Sequence, residues 1–303
     1  MKVVQSLNKA LDKMMAEDDK VILLGEDIRD VYGGAFKVTR GLSVKYPDRV
    51  INTPISEAGI VGMAIGMALQ GLKPIVEIMF GDFLTLAADQ IINHAVKYSE
   101  LYGKRMNLVI RTPMGGGRGY GATHSQSLEK LFCGIPGLVV IAPSVYHDVG
   151  RVLRNALNLR MPVLFIEDKR MYMESIHETP CNFIFIESES QKKRIEIFTY
   201  GYCVELSVKA AEILTRDNIS SEIYFNPLIS HPNAYDKQHF RVTIEEGTAR
   251  MAWGSQFNPD LMITTEDSVI PAYGESEVLP SVEKIVKAVR EHVCKNSAKV
   301  QME

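Results

Sequence analysis

Residues Pro54 to Phe80 read PISEAGIVGMAIGMALQGLKPIVEIMF, and the change of pattern inside them decides the fold. From Pro54 to Leu69 nearly every residue is apolar or small, with Ser56 placed to cap a helix and Glu57 in its first turn. From Pro74 to Phe80 a short continuous apolar run takes over, as in a strand covered on both faces. A helix so poor in polar groups is expected to be buried. Glycine costs up to ~1 kcal/mol relative to alanine inside a helix, so Gly59, Gly62 and Gly66 point to close approach of another backbone or a ligand.

Glu57 is the odd residue in this helix. The helix dipole favours a carboxylate at its head, but a buried one needs a hydrogen-bonding partner or it takes up a proton. The pattern alone leaves two readings open, a carboxylate facing a ligand nitrogen and an acid solvated at an exposed helix start.

Outward from this stretch, strands and helices alternate. Val3 to Met15 reads as an amphipathic helix and Val21 to Gly25 (VILLG) as a strand whose end delivers Glu26 and Asp27. Tyr32 to Gly41 is a glycine-bearing loop. Beyond Phe80 come a long helix, Phe83 to Tyr102, and strands at Met106 to Arg111, Leu138 to Ala142 and Pro162 to Glu167. This order predicts an α/β fold with a doubly wound parallel sheet. A polar hinge, ESESQKKR, then leads to a second, smaller α/β unit. Its strands are Ile195 to Tyr200, Glu222 to Phe225, Arg241 to Ile244 and Leu261 to Thr264. Its helices are Glu205 to Arg216 and Ser281 to Val293. Domains at 1–190 and 191–303 are expected, and 303 residues suffice for two cores.

Thirty-four basic and 37 acidic residues give a net charge of −3 and are spread along the chain, which argues against nucleic acid and anionic membrane as partners. No run approaches the ~20 apolar residues of a membrane span, and the N-terminus lacks a signal-peptide core, so a cytoplasmic protein is expected. Cys133, Cys181, Cys203 and Cys294 have neither zinc-site nor disulfide spacing, and no metal ligands are assigned to this chain.

A second stretch bears on chemistry. TPMGGGRGYGATHSQS, Thr112 to Ser127, holds five glycines and lacks the G-x-x-x-x-G-K-[ST] order of a nucleotide phosphate loop. His124 follows those glycines and reads either as a satisfied structural histidine or as an acid/base group at a strand-end loop. Met79 and Phe83 read on their own as core, and Glu26 as a capping or solvated acid or as one that reaches a reacting centre.

The motifs GEDI (Gly25 to Ile28), YGGAFKVTRGL (Tyr32 to Leu42), TPISEAGIVGMAIGMAL (Thr53 to Leu69) and RTPMGGGRGYGATHSQS (Arg111 to Ser127) resemble the β subunit of the thiamine-diphosphate-dependent first component of the 2-oxo acid dehydrogenase complexes. The broader group is transketolase-like, and this chain matches its pyrimidine-binding half. The resemblance implies that Glu57 hydrogen-bonds a ring nitrogen of the cofactor's aminopyrimidine and favours its imino tautomer. It implies further that Phe83 lies against the pyrimidine, with Met79 and Glu26 nearby, and that His124 faces the cofactor's reacting end. The GDG motif that holds magnesium and the diphosphate is absent, so an α-type partner chain is expected to supply it in an α2β2 assembly.

Three departures stand out. Leu159 and Met161 replace oxygen-bearing residues where relatives hold a structural potassium ion. The C-terminal unit is shortened, because after EEGTARMAWGSQ, Glu245 to Gln256, the usual long helix is missing. Arg118 and Tyr120 stand in the glycine loop where relatives have small residues. The expected function is therefore decarboxylation of a 2-oxo acid, or transfer of the resulting acyl or aldehyde unit. A split transketolase half, or an acyloin-forming subunit, is the alternative within enzymes, and a non-catalytic scaffold subunit is the alternative outside them. Partnership with a lipoyl acyltransferase, and the identity of the 2-oxo acid or ketose substrate, stay open.

Overall fold

The computed structural model describes all residues except 190–192, 234, 251 and 300–303, and the side chains of 294–299 are also outside it. The centre of the expected hinge, at Gln191, lies outside the described residues.

Six parallel strands form the first sheet: β1 (Val21–Gly25), β2 (Val50–Asn52), β3 (Lys73–Glu77), β4 (Leu108–Met114), β5 (Val139–Ile141) and β6 (Pro162–Asp168), in the order β2-β1-β3-β4-β6-β5. Successive residues of a strand face opposite sides, so each strand has to be apolar twice over. Leu24, Val76, Ile110 and Leu164 pack to one side against the helix Glu57–Leu69 and the segment that follows β3. Leu23, Ile75, Val109 and Val163 pack to the other, against helices Val3–Glu17 and Val149–Leu157. The sheet is doubly wound, as its alternating elements predict.

Two expectations change in detail. The helix Glu57–Leu69 buries Ile60, Val61, Ala64, Ile65 and Ala68, but Ala58, Gly59, Met63 and Gly66 remain exposed. A helix apolar on every side has two faces to cover, and this chain covers one. The expected helix from Phe83 to Tyr102 is helical from Gly81 to Leu101 in four pieces, with 3₁₀ geometry at Gly81–Phe83 and a π turn at Gln90–Ala95. Of the three glycines only Gly62 lies close to a neighbouring segment, a Cβ there standing 3.2 Å from Gln90 Oε1, whereas one at Gly66 would meet nothing within 4 Å and one at Gly59 only the side chain of Ser56.

The second sheet comprises β7 (Phe183–Ile186), β8 (Lys193–Thr199), β9 (Ile219–Tyr224), β10 (Phe240–Thr248) and β11 (Leu261–Thr265), in the order β11-β10-β8-β9-β7. Strand β7, which the sequence reading does not anticipate, pairs antiparallel with β9 at the edge. Helices Cys203–Leu214 and Val282–Lys299 cover one face through Ile195, Ile197, Val242 and Ile244. Phe198, Tyr200, Trp253 and Phe257 join the core of the first sheet, so the two sheets share one apolar cluster. Among the described residues between β10 and β11 the one helical element is the 3₁₀ turn Trp253–Phe257.

At this junction Glu129 is buried; one carboxyl oxygen accepts a hydrogen bond from the Tyr200 hydroxyl at 2.5 Å, and the other has no partner among the described residues. Burial pushes its pKa up from 4.5 to about 7. Between those values the folded protein keeps a proton that the unfolded chain has released, so stability falls as pH rises through the window. Glu129→Gln keeps an acceptor for Tyr200 and removes the titration. Urea unfolding at pH 5 and pH 8 should show ~3 kcal/mol less pH dependence in the variant, and equal pH dependence in both proteins would refute this.

Candidate active site

Ligands in doubly wound sheets bind beyond the carboxyl ends of the strands, where the connections diverge to either side. Here β1 leads leftward to β2 and β3 leads rightward to β4. β1 ends at Gly25 and delivers Glu26, and the helix after β2 begins with Glu57. Both carboxylates are buried, Glu26 at 7 % and Glu57 at 6 % exposure. At this exposure Glu57 does not stand at a freely exposed helix start. Burial, then the charge of Glu57, then that of Asp27 raise the pKa of Glu26. Glu26 Oε1 has no hydrogen-bond partner among the described residues. The Glu57 carboxylate likewise accepts no hydrogen bond from them. Two buried acids within electrostatic reach of each other and with unused acceptor capacity suit a ligand that brings N–H donors or a positive charge.

Beyond β3, Ile78 to Phe80 lead away from this pair, with Met79 half-buried, to an aromatic group. The His124 imidazole stands edge-on to Phe83, with ring centroids 5.2 Å apart, and to Phe80 at 4.8 Å. Its Nδ1 shares a 2.8 Å hydrogen bond with the Thr123 hydroxyl. Thus the structure sets Glu26 within electrostatic reach of Glu57, and Phe83 against His124, beyond the carboxyl ends of neighbouring strands. Apolar walls with a few polar groups are the usual make-up of a small-molecule site.

Several residues of this region escape the sequence reading. Lys169, fully buried, donates to the His124 carbonyl and stands 5.3 Å from the ring centroids of both Phe80 and Tyr120. Burial lowers its pKa, while Asp82, Glu246, Asp168 and Glu275 oppose that. Beneath the site Arg111 of β4 donates through Nε and Nη2 to Glu167 of β6, at 2.8 and 2.6 Å, and through Nη1 to Glu77 of β3. The Tyr172 hydroxyl donates to Glu167 at 2.6 Å, and the Ala35 amide to Glu77 at 3.0 Å. Phe36 stacks on Tyr172 at 4.6 Å, so the loop Tyr32 to Gly41 is pinned to the same cluster. The sequence signal for Glu77 is the single acid in PIVEIMF; Lys169, among the charges of EDKR, carries no comparable signal.

The amides of the glycine loop engage the protein's own carboxylates, Gly116 N–H donating to Glu246 and several others to Glu275. Arg118 is exposed, and its guanidinium donates to the Lys169 carbonyl at 3.0 and 2.7 Å. Among the described residues no group of three or more His, Cys, Asp or Glu side chains could hold a metal ion, and no described helix is long and apolar enough to cross a membrane.

Comparison with known proteins adds to this geometry. Residues 1–175 match the family described as "Transketolase, pyrimidine binding domain". The chain is 38 % identical over 235 residues to the acetoin:2,6-dichlorophenolindophenol oxidoreductase subunit beta of Cupriavidus necator, covering 72 % of this chain and 69 % of that one. It is 35 % identical over 288 residues to the mitochondrial pyruvate dehydrogenase E1 component subunit beta-1 of Oryza sativa subsp. japonica, covering 88 % and 75 %. It is 37 % identical over 231 residues to the 2-oxoisovalerate dehydrogenase subunit beta of Bacillus subtilis, covering 74 % and 70 %. In structure it is similar to a split gene transketolase in an inactive beta4 tetramer, with a TM-score of 0.66 and 19 % identity over 95 % of this chain and 96 % of that one, which shows a common fold.

The Arg111 cluster offers a direct test of what positions the site. Arg111→Met strips two buried carboxylates of their counter-ion and should cost ~3–5 kcal/mol in urea unfolding at pH 7. A loss below ~1 kcal/mol would show that the strand ends hold without it.

Proposed function

The chain belongs to the β-subunit family of the 2-oxo acid dehydrogenases, whose pyrimidine-binding domain is shared with transketolase, and from this we propose that it is the β-type subunit of a thiamine-diphosphate-dependent enzyme acting on a 2-oxo acid with a separate α-type chain. The observation that carries this reading is the buried Glu57, at the head of an apolar helix and within electrostatic reach of Glu26, one of whose oxygens has no partner among the described residues. A subunit that only scaffolds an assembly has no use for two buried acids with unfilled acceptor sites.

Thiamine diphosphate, when bound, supplies the electron sink that a 2-oxo acid needs to lose carbon dioxide. Glu57 is assigned to accept a hydrogen bond from a protonated ring nitrogen of the pyrimidine, and its burial makes that bond strong. Glu26, whose own charge is disfavoured next to Glu57, limits the negative charge at this spot. Phe83 and Met79 supply apolar walls that exclude water from the ring. His124 is assigned to hold or move a proton at the substrate carbonyl, with Thr123 fixing one ring nitrogen and Phe80 and Phe83 its plane.

No GDG sequence occurs in the chain, so the diphosphate and magnesium are assigned to the α-type partner in an α2β2 assembly, in the cytoplasm. The pyrimidine-binding unit is taken as 1–190 and the shortened second unit as 191–303, with Phe183–Ile186 lent to the latter as its edge strand. The short turn between β10 and β11 favours a second reading of the acceptor. With little surface there for docking a large acyltransferase core, the activated unit would pass to a small molecule, as in an acyloin-forming or split transketolase enzyme.

The purified chain should not decarboxylate 2-oxo acids alone, even with cofactor and magnesium, and should do so once an α-type chain is added. Glu57→Gln should leave the circular dichroism spectrum and melting temperature unchanged and lower kcat of the mixture by about a thousandfold, or ~4 kcal/mol of barrier. Robust turnover by the isolated chain would overturn the two-chain reading, and a Glu57→Gln mixture of normal kcat would overturn the role of Glu57. Stable co-elution of the reconstituted enzyme with a lipoyl acyltransferase, followed by reductive acylation, would overturn the small-molecule acceptor.

A further inference from the structure

Within the glycine loop, Gly115, Gly117, Gly119 and Gly121 have φ of 92°, 83°, 74° and 73°. Left-handed residues alternating with ordinary ones turn successive N–H groups to one side and make a concave anion site. The occupant is the carboxylate of Glu275, on the short helix Glu275–Val278 that follows β11. One oxygen accepts from the amides of Gly117 (2.7 Å), Arg118 (3.0 Å) and Gly119 (2.9 Å). The other accepts from the Gly121 amide (2.8 Å) and the Ser125 hydroxyl (2.5 Å). Burial opposes ionisation of this acid, but the Ser125 hydroxyl and the Gly121, Gly119 and Gly117 amides outweigh it and hold its pKa at about 2.

The fit extends beyond the charge. A Cβ at Gly121 would stand 2.9 Å from Ala272 Cβ, and one at Gly116 would stand 2.8 Å from Leu279 Cδ1. The loop is therefore moulded on residues 272–279, and glycine is needed to let it approach. Its C-terminal end is Ser125, fully buried and bonded to Glu275, and the residue before Ser125 is His124.

We propose that Glu275 is a positioning residue for His124: its carboxylate fills the anion nest of the glycine loop, and the shape of the loop, and so the place of the imidazole, depends on a carboxylate being there. The catalytic meaning of that placement rests on the assignment of His124 above; the dependence itself does not. A loop so rich in glycine has little of its own to fix its path, and five hydrogen bonds to one buried anion supply what side-chain packing supplies elsewhere.

Replacing Glu275 by alanine removes a group the size of acetate, which makes acetate the matching probe. In the full chain carrying Glu275→Ala, the imidazole C–H signal of His124, identified among the seven histidines by its loss in His124→Asn, should move from its wild-type position. Acetate should return it in a saturable way and raise the melting temperature, while acetamide at equal concentration should do neither. With the α-type chain added, kcat should fall roughly a hundredfold, as for a displaced catalytic group, and recover with the same acetate dependence. A wild-type His124 signal in Glu275→Ala without acetate would overturn the proposal, as would acetate that raises the melting temperature but leaves the signal displaced. If Glu275→Ala does not fold, Glu275→Gln takes its place: it keeps the volume and loses the charge, and a wild-type His124 signal there would overturn the proposal equally. Should the wild-type mixture lack 2-oxo acid activity, the functional assignment fails while the nuclear magnetic resonance comparison still decides this one.

Discussion

One guanidinium, that of Arg111, holds the carboxylates of Glu77 and Glu167 at the dry end of three neighbouring strands. Taking such charges out of water is costly, and the cost is offset only when every donor finds an acceptor in good geometry. That requirement fixes more than the three strands. Glu77 reaches the Ala35 amide and Glu167 reaches Tyr172, which stacks on Phe36, so the loop after β1 has one place to go. Glu26, Met79 and Phe80 all leave the sheet at this level.

The buried acids fall into a sequence according to what satisfies them. Glu77 and Glu167 have a guanidinium, Glu246 has Arg170 and an amide, and Glu275 has four amides and a hydroxyl. Glu129 has a tyrosine and one idle oxygen. Asp82 likewise keeps one idle oxygen. Glu26 and Glu57 have least among the described residues. Since an unpaired buried polar group costs on the order of 1–3 kcal/mol, the two acids that accept no hydrogen bond from the described residues mark where something from outside the chain completes the set.

The architecture was legible because its signals are local. Continuous apolar runs as short as VILLG and PIVEIMF suit strands covered on both faces, and their alternation with helices implies a parallel sheet. Glu57 and His124 stood out because each breaks a pattern, a lone acid in an apolar helix and a lone histidine after glycines. What escaped depends on pairing at a distance. Lys169 and Glu275 lie in charged stretches that read as ordinary surface, and only the fold shows that one is sealed beneath an aromatic group and the other inside a loop more than 150 residues earlier. Strand β7 was missed for a similar reason: its partner β9 follows it in sequence by more than thirty residues.

The shared apolar cluster between the sheets has an optical consequence. Trp253 is the only tryptophan of the chain, and it sits in that cluster against Tyr200 and Phe257, its indole N–H donating to the Ile229 carbonyl at 2.9 Å. Its emission is thus a built-in gauge of the seam. When the seam parts, the indole loses its apolar surroundings and its fluorescence shifts to longer wavelength, even where the backbone of both sheets keeps its circular dichroism. A red shift that precedes the loss of ellipticity would mark two cooperative units separating before either melts, and coincidence of the two would mark a single one.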